Sequence, residues 1–349
     1  MVVDLKQIIM IVTTTFLISL VITPFIKKMA FHIGSVDKPN KRRVNKVPMP
    51  TMGGLAIFIS FVFGYMLFAD QMYEMIPILL GGVVLIITGI LDGINPLPVK
   101  TKLMCQITAA LIVTIYGNMV ITKIDGFGLL INFGIFSVPL TIIFILAMIN
   151  SINLIDGLDG LASGVSAIFF LTISIIAIIL NKLGGFDILL SLIMLGATTG
   201  FLVHNFYPAK IYLGDTGSMF LGYIIAIIAI LGFKNVTLTS FIVPILILGV
   251  PIFDTICAIL RRIINKQSIS IADKKHLHHQ LLNMSYSHRT TVLIIYYINT
   301  LFALTSIVYI IKNRVLGIFM YIILFIIVIG FIFKTNIIIN QEKTNKQKK

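Results

Sequence analysis

The sequence has no tryptophan, only two cysteines and few charged residues, which make up 11% of its 349 positions. This scarcity of charge excludes an ordinary soluble domain, in which about a quarter of the residues are charged. Cys105 and Cys257 both lie in apolar segments, so neither a disulfide framework nor a zinc site built on cysteine is indicated. The 13 acidic residues are outnumbered by 27 basic ones. No basic face is interleaved with stacking aromatics, so we expect no nucleic-acid partner.

Long apolar runs dominate the rest of the chain. It is 58% hydrophobic, with a mean hydropathy of +1.05, and its runs have the length of membrane helices, about 20 residues. They lack the alternating pattern of membrane barrel strands. We therefore predict an all-α polytopic membrane protein with about eleven transmembrane helices. The predicted spans are 8–26, 53–68, 76–91, 103–119, 138–149, 161–180, 186–203, 219–233, 241–260, 291–311 and 315–333.

The basic residues predict the orientation, because Lys and Arg are enriched in cytoplasmic loops. With the N-terminus outside and the C-terminus inside, 21 of the 27 basic residues fall on the inside. Residues 1–334 then form one integral membrane domain, and the basic tail 335–349 is predicted to be disordered. Asp125-Gly126 between apolar runs predicts a small outer β-hairpin near residues 120–137. The protein is expected in the plasma membrane, in contact with anionic lipid.

The most informative stretch, residues 150–163, joins two apolar segments. Asn150, Asn153, Asp156 and Asp159 recur every third residue, so a helix would place their side chains along one face. Amides and carboxylates at the end of a membrane span are costly. Two interpretations are open: a polar helix end that faces water, or a site for a cation or a charged ligand.

A second polar stretch, residues 204–218, has the features of an anion site. Gly214, Gly217 and Ser218 precede or open an apolar helix, whose N-terminus carries partial positive charge. Asp215 offers hard oxygen ligands of the kind that Mg²⁺ prefers, and Tyr212 offers a flat face for a base. The alternative is a simple helix cap at Asp215 or Ser218.

Two further inside loops carry charge. Residues 34–54 contain five basic residues within 38–46, which suit either headgroup contact or a clamp for phosphate oxygens. Asp92 ends an aliphatic span and is interpreted as a turn residue, a helix cap or a ligand. In each case the residue type alone does not decide between a structural role and a functional role.

The last inside loop, 261–289, contains three histidines, His276, His278 and His279. Their spacing does not match the two-histidine zinc motif of metallopeptidases, which also needs a glutamate. Cationic histidine can hold phosphate and neutralise a developing charge. Asp254 lies within a span, so we expect it to face the interior and to pair with Arg261 or Arg262.

The inside face thus collects carboxylates beside histidines and many cations. Carboxylates that can share Mg²⁺, set beside cations, suit phosphoryl or phosphosugar transfer. A site at the inner membrane surface can receive a soluble nucleotide from one side and a lipid from the other. The acids on this face are Asp37, Asp92, Asp156, Asp159, Asp215 and Asp273.

Together these motifs resemble the polyprenyl-phosphate N-acetylhexosamine-1-phosphate transferase family, of the glycosyltransferase 4 type. The resemblance covers nearly all spans and is closest to the branch that uses UDP-N-acetylglucosamine and starts wall teichoic acid or O-antigen-type polymers. It implies transfer of a sugar 1-phosphate to undecaprenyl phosphate with release of UMP. The matching motifs are Asn153-Leu-Ile-Asp156-Gly-Leu-Asp159, Gly214-Asp215-Thr-Gly-Ser218 and Ala272-Asp273-Lys-Lys-His276-Leu-His278-His279.

The resemblance also implies roles for single residues. Asp215 would bind Mg²⁺, or Mn²⁺ as an alternative, with Asp92 and Asn153 nearby. Asp92 would help to deprotonate the lipid phosphate, and Asp156 would shape the metal and phosphate site. Direct attack and an aspartyl intermediate both stay open. The remaining expected contacts are Asp159 and Tyr212 to the uracil, and Arg42, Lys46, His276, His278 and His279 to phosphates or sugar.

Two positions depart from the family pattern. Gly93 stands where the family usually has the second Asp of an Asp-Asp pair, and Asn45 stands where its basic loop usually has His. The loss of a carboxylate at 93 motivates a non-catalytic relative as one alternative. The others are a sister enzyme for another UDP-sugar, including the muramoyl-pentapeptide nucleotide, and a transporter for a phosphorylated solute. A homodimer is a further expectation.

Overall fold

The computed structural model describes residues 4–37, 48–69, 73–126, 129–180, 185–235, 242–264, 276–311 and 314–334. Within these ranges the protein is almost entirely helical. The helices are α1 (Leu5–Ile33), α2 (Gly53–Phe68), α3 (Met75–Ile94), α4 (Val99–Leu111), α5 (Ser137–Ile155), α6 (Leu161–Ile179), α7 (Phe186–Asn205), α8 (Gly214–Asn235), α9 (Ile242–Ile247), α10 (Gly249–Ile264), α11 (Leu277–Asn283), α12 (His288–Ile311) and α13 (Arg314–Lys334). A π-helical turn, Ile112–Tyr116, extends α4.

Eight of these helices are long and apolar enough to cross a membrane. Two shorter apolar helices, Gly53–Phe68 and Arg314–Gly330, accompany them. The protein is therefore a polytopic helical membrane protein, as its hydropathy predicts. The count of eleven spans and the orientation stay predictions. The ninth predicted span differs from one continuous helix, because α9 ends at Ile247 and α10 begins at Gly249.

Helix α8 lies at the centre of the bundle, where it packs against α2, α3, α5 and α7. In its most apolar stretch 89% of the residues are buried, against 28% in α1. Close helix packing in membranes relies on small residues. At Gly54 of α2, an added Cβ would lie 2.0 Å from the backbone nitrogen of Gly217 in α8. This contact brings the first turn of α8 against the start of α2.

Two short antiparallel sheets complete the described fold. Strands β3 (Lys123–Gly126) and β4 (Leu129–Asn132) pair in the register Lys123 to Asn132, which confirms the hairpin predicted near 120–137. Strands β1 (Val36–Asp37) and β2 (Met49–Pro50) pair on either side of the basic loop. Residues 38–47 of that loop and the tail 335–349 lie outside the described residues.

The β1–β2 pair is also joined to the loop before α8. The Tyr212 backbone nitrogen donates to the Pro50 carbonyl over 2.9 Å, and the Gly53 nitrogen donates to the Tyr212 carbonyl over 3.0 Å. The basic loop therefore begins and ends beside the first turn of α8. Because α3 and α5 end here and α4 begins here, we call this the site end of the bundle. The opposite end carries the β3–β4 hairpin and is called the hairpin end.

Candidate active site

A lysine joins two of the predicted carboxylates at the site end. The Lys102 ammonium lies 2.8 Å from Asp92 Oδ1 and 2.7 Å from Asp215 Oδ2. Asp92 lies in the last turn of α3, Lys102 in the first turn of α4 and Asp215 in the first turn of α8. Asp92 Oδ1 also accepts a 2.7 Å hydrogen bond from the Leu97 backbone. Three separate helices therefore contribute one partly buried ionic cluster.

The amide of Asn153 orients Asp215. Its Nδ2 donates to Asp215 Oδ1 over 3.1 Å and to Ser218 Oγ over 2.8 Å. Ser218 in turn donates to the carbonyl of Gly214 over 3.1 Å. The end of α5 and the start of α8 are thus joined by side chains that hold one carboxylate in place. Asn153 and Asp215 are therefore neighbours, and the metal-ligand role of Asn153 stays a prediction.

Asp156 ends α5 beside this cluster. Burial raises the pKa of its carboxyl well above the ordinary value, and the nearby charges of Asp215 and Asp159 raise it further. The Gly214 N–H, which hydrogen-bonds this carboxylate, opposes the shift. Carboxylates that repel one another in this way gain from a shared cation. The electrostatics therefore favour a positive ligand at this position.

The arrangement fits a divalent cation held by oxygen. One oxygen of Asp92 and one of Asp215 approach the same ammonium, so both can approach one cation. Among the described residues, no group of three or more His, Cys, Asp or Glu side chains is arranged to hold a metal. Mg²⁺ needs no such group, because it commonly uses one or two carboxylates and completes its shell with water and substrate phosphates.

Asp159 lies in the turn between α5 and α6, where hydrogen bonds hold its side chain and its backbone. Its Oδ2 accepts a 3.0 Å hydrogen bond from the Ala209 backbone, and its own backbone N–H donates to His288 Nε2 over 2.9 Å. The His288 ring stacks on Tyr207, with centroids 4.6 Å apart. Asp159 therefore joins the loop before α8 to the start of α12. Its predicted contact with uracil stays a prediction.

Tyr212 lies half-buried in the same loop, two residues before the start of α8. Its backbone is held on both sides by the Pro50 and Gly53 hydrogen bonds already described. This places the residue between the β1–β2 pair and Asp215. The predicted stacking of its ring on a base stays a prediction.

The three histidines lie at the start of α11 (Leu277–Asn283). His276 immediately precedes the helix, and its Nδ1 lies 2.9 Å from Asp254 Oδ2. His278 is 2% exposed, and its Nε2 faces Gly157, where an added Cβ would lie only 2.4 Å away. The structure therefore brings His278 beside the turn that carries Asp156, and the predicted contacts of the three histidines with phosphates or sugar stay predictions. The ring of His279 packs on that of His278, with centroids 4.2 Å apart.

The expectation that the histidines carry positive charge does not hold for His278. Burial lowers the pKa of His278 well below its ordinary value, and the neighbouring histidines, His279 first, lower it further. The ring is therefore neutral near pH 7. It can offer a hydrogen bond, whereas positive charge must come from other residues, and Lys102 is the described lysine that contacts both Asp92 and Asp215.

Sequence reasoning missed two residues of the site, Lys102 and His288, and the contact between Asp254 and His276. A signal for Lys102 is present in the sequence, because a lysine in the first turn of a helix opposes the helix dipole and gains from a carboxylate partner. The other two contacts join residues that are far apart in the chain. The predicted residues Arg42, Lys46 and Asp273 lie outside the described residues.

Comparison with known proteins identifies the family. The model of glycosyl transferase family 4 matches residues 75–233, which include Asp92, Asn153, Asp156, Asp159 and Asp215. The chain is also 43% identical over 318 residues to a probable undecaprenyl-phosphate N-acetylglucosaminyl 1-phosphate transferase of Bacillus subtilis, with 88% of this chain and 86% of the relative covered. The chain belongs to glycosyl transferase family 4.

Other family 4 members are similar over most of their length. A decaprenyl-phosphate N-acetylglucosaminephosphotransferase of Mycobacterium tuberculosis is 33% identical over 325 residues, with 84% of this chain and 80% of the relative covered. A phospho-N-acetylmuramoyl-pentapeptide-transferase of Halalkalibacterium halodurans is 30% identical over 311 residues, with 84% and 93% covered. This family 4 member is therefore a multi-pass membrane enzyme that transfers a sugar phosphate, which favours the transferase interpretation over the transporter.

Proposed function

We propose that this protein transfers N-acetylglucosamine 1-phosphate from UDP-N-acetylglucosamine to undecaprenyl phosphate and releases UMP. The observation that carries the proposal is the cluster of Asp92, Lys102 and Asp215, set where membrane helices end. A diphosphate donor needs positive charge and a divalent cation, and a lipid acceptor needs access from the membrane. The similarity to the Bacillus subtilis relative supports the choice of donor and acceptor.

In this proposal Asp215 and Asp92 would hold Mg²⁺, or Mn²⁺ in its place, with Asn153 beside them. The ion would neutralise charge on the donor diphosphate. Asn153 and Ser218 keep Asp215 oriented, and Lys102 supplies the positive charge closest to both carboxylates. His278, being neutral, serves as a hydrogen-bonding group to the donor.

The proposed reaction forms a bond from an oxygen of the lipid phosphate to the β-phosphorus. The bond from that phosphorus to the oxygen shared with the α-phosphate breaks, and UMP leaves with the electron pair. We propose that Asp92 accepts a proton from the lipid phosphate, and its position in the last turn of α3 supports this role. Asp159, Tyr212, Arg42 and Lys46 are proposed to hold the uridine and the phosphates.

We further propose that the site end faces the cytoplasm of a bacterial cell, as the excess of basic residues in the site-end loops predicts. UDP-sugars would then reach the site from the cytoplasm and the lipid from the inner leaflet. The product would be the first lipid-linked intermediate of a cell-wall polymer, with wall teichoic acid as the proposed pathway.

A UMP-release assay on purified protein tests this function. The protein in detergent receives undecaprenyl phosphate, Mg²⁺ and either UDP-N-acetylglucosamine or the muramoyl-pentapeptide nucleotide. We expect UMP with the first donor, and we expect its loss with EDTA and in Asp215→Asn. The matched control is Asp187→Asn, which changes an acid in the first turn of α7 at the hairpin end.

The assay separates the alternatives. UMP from the muramoyl nucleotide alone would assign the protein to the peptidoglycan branch. Turnover that survives both EDTA and Asp215→Asn would contradict the proposed metal site. Absence of UMP with both donors, from protein that elutes as a single folded species, would overturn the proposed activity.

A further inference from the structure

Asp254 is a carboxylate inside a helix of the membrane bundle, and the transfer chemistry proposed above does not use it. It lies in α10, within the ninth predicted span, and is 5% exposed. A carboxylate that is almost fully buried is costly unless it has partners, so it marks a functional or structural requirement. The hydrogen bonds of the Asp254 carboxylate show what this side chain does in the structure.

Both oxygens of Asp254 hold the start of α11. Oδ2 lies 2.9 Å from His276 Nδ1, and Oδ1 accepts a 2.9 Å hydrogen bond from the Leu277 backbone. His276 makes no side-chain cap to its own helix. Asp254 therefore supplies the cap for α11 and also sets the ring orientation of the residue before it, although it is 22 residues away.

The ring of His278 lies between His276 and the turn that carries Asp156. The rings of His276 and His278 are nearly parallel, at 3° with centroids 5.9 Å apart. Nε2 of His278 faces Gly157, next to Asp156, and has no hydrogen-bond partner within the described part of the chain. A buried ring nitrogen without a hydrogen-bond partner is costly unless a ligand or a water molecule supplies that partner. A displacement of His276 would thus move the buried ring of His278, which faces the Asp156 turn.

We propose that Asp254 is a positioning residue of the transfer site. It keeps Nδ1 of His276 protonated and holds α11 so that His278 faces Gly157. Its effect on catalysis passes through His276 and requires no contact between Asp254 and the substrate. The catalytic part of this inference rests on the proposed function, whereas the state of the His276 ring does not.

The Asp254→Asn variant separates the two contacts of the carboxylate. The amide oxygen can still accept from the Leu277 backbone, so the cap of α11 is kept. The amide nitrogen is a donor, so His276 Nδ1 must then act as an acceptor and its proton moves to Nε2. The variant therefore reverses the tautomer of His276 with little change in shape.

A double-mutant cycle tests whether Asp254 acts through His276. In the wild-type background, Asp254→Asn is expected to lower kcat about tenfold or more, the size of effect seen for residues that orient a functional histidine. In the His276→Gln background the same change should have less than a twofold effect, because the ring that Asp254 orients is absent. Equal losses in both backgrounds would overturn the positioning role. Asp187→Asn serves as the control for loss of a carboxylate in the bundle.

Nitrogen NMR of protein labelled at its six histidines provides a second readout that needs no turnover. His276→Gln assigns the His276 signals. We expect Nδ1 of His276 to be protonated in the wild type and unprotonated in Asp254→Asn. An unchanged His276 spectrum would overturn the inference even if the enzyme is active. A changed spectrum in a protein that releases no UMP would leave the effect on the ring standing while the proposed function fails.

Discussion

The two ends of the bundle use acidic residues in different ways. At the hairpin end, Asp4 accepts from the backbone of Gln7 in its own helix over 2.7 Å. At the site end, Asp92 and Asp215 meet at Lys102, although Lys102 and Asp215 are 113 residues apart in the chain. A helix cap needs only the helix that carries it. A cluster of carboxylates from several helices opposes folding unless a cation stabilises it, so the comparison indicates selection for function at the site end.

The largest expected effect comes from removing the cation that joins the two carboxylates. Lys102→Met should lower kcat for UMP release about 100-fold or more, because charge stabilisation in a partly buried site is lost. Lys123→Met, an exposed lysine in β3 at the hairpin end, is the matched control and should stay within about twofold. Equal losses of kcat in the two variants would contradict the functional difference between the site end and the hairpin end.

The second prediction compares how closely the chain packs at the two ends of α8. Gly54→Ala places a Cβ 2.0 Å from the Gly217 backbone, so we expect a loss of about 3 kcal/mol in the free energy of unfolding. Gly232→Ala meets only a carboxylate oxygen of Asp187 at 3.1 Å and should cost less than about 1 kcal/mol. Thermal unfolding in detergent measures both. A Gly54→Ala protein as stable as the wild type would show that α2 and α8 pack less closely here.

The third prediction uses the raised pKa of Asp156. Between the ordinary Asp pKa and this raised value, the folded protein holds a proton that the unfolded chain has released, so stability falls as the pH rises through that window. Asp156→Asn removes the ionising group. In EDTA, the drop in Tm from about pH 5 to pH 8 should shrink by about 3 °C, which corresponds to about 1 kcal/mol in a chain of this size.

Asp4→Asn is the control for this measurement, since the amide oxygen can keep the cap of α1 at the hairpin end. It should leave the pH dependence of Tm unchanged. A Tm profile that is the same for Asp156→Asn and the wild type would contradict the electrostatic description of the acidic cluster.

The smallest expected effect concerns Gly93, where the family usually has a second carboxylate. A Cβ at this position would lie 2.2 Å from Ser35 Oγ, so Gly93→Asp alone must displace that hydroxyl from its contact with Thr51. Ser35→Ala removes this closest contact and leaves Thr51 Oγ1 at 3.0 Å from the added Cβ. We expect Gly93→Asp/Ser35→Ala to turn over within about threefold of Ser35→Ala, a difference below about 1 kcal/mol.

Gly93→Ala/Ser35→Ala is the matched variant without charge. If the Asp variant exceeds both controls well beyond threefold, the missing carboxylate limits this enzyme. If the turnover rates of the three variants agree within about threefold, Asp92 is sufficient without a second carboxylate at position 93.

Much of the candidate site could be predicted because its residues stand at the ends of apolar segments. Asn153 and Asp156 recur at helical spacing, and Asp92 and Asp215 lie at helix ends, so their convergence at one membrane surface was expected. The partner of Asp254 was not predicted. Helical proximity favoured Arg261 or Arg262, whereas its described hydrogen bonds go to His276 and Leu277, which belong to another helix.

The sequence by itself determined the membrane class, the positions of most helices, the hairpin and the residue types of the site, because hydropathy, turn residues and helical spacing are local properties. Only the tertiary structure decided that Lys102 joins Asp92 to Asp215, that His278 is buried against Gly157, and that Asp254 holds His276. These contacts depend on which helix faces pack together and how closely. That choice is made by the packing of the whole bundle around α8, which no single segment encodes.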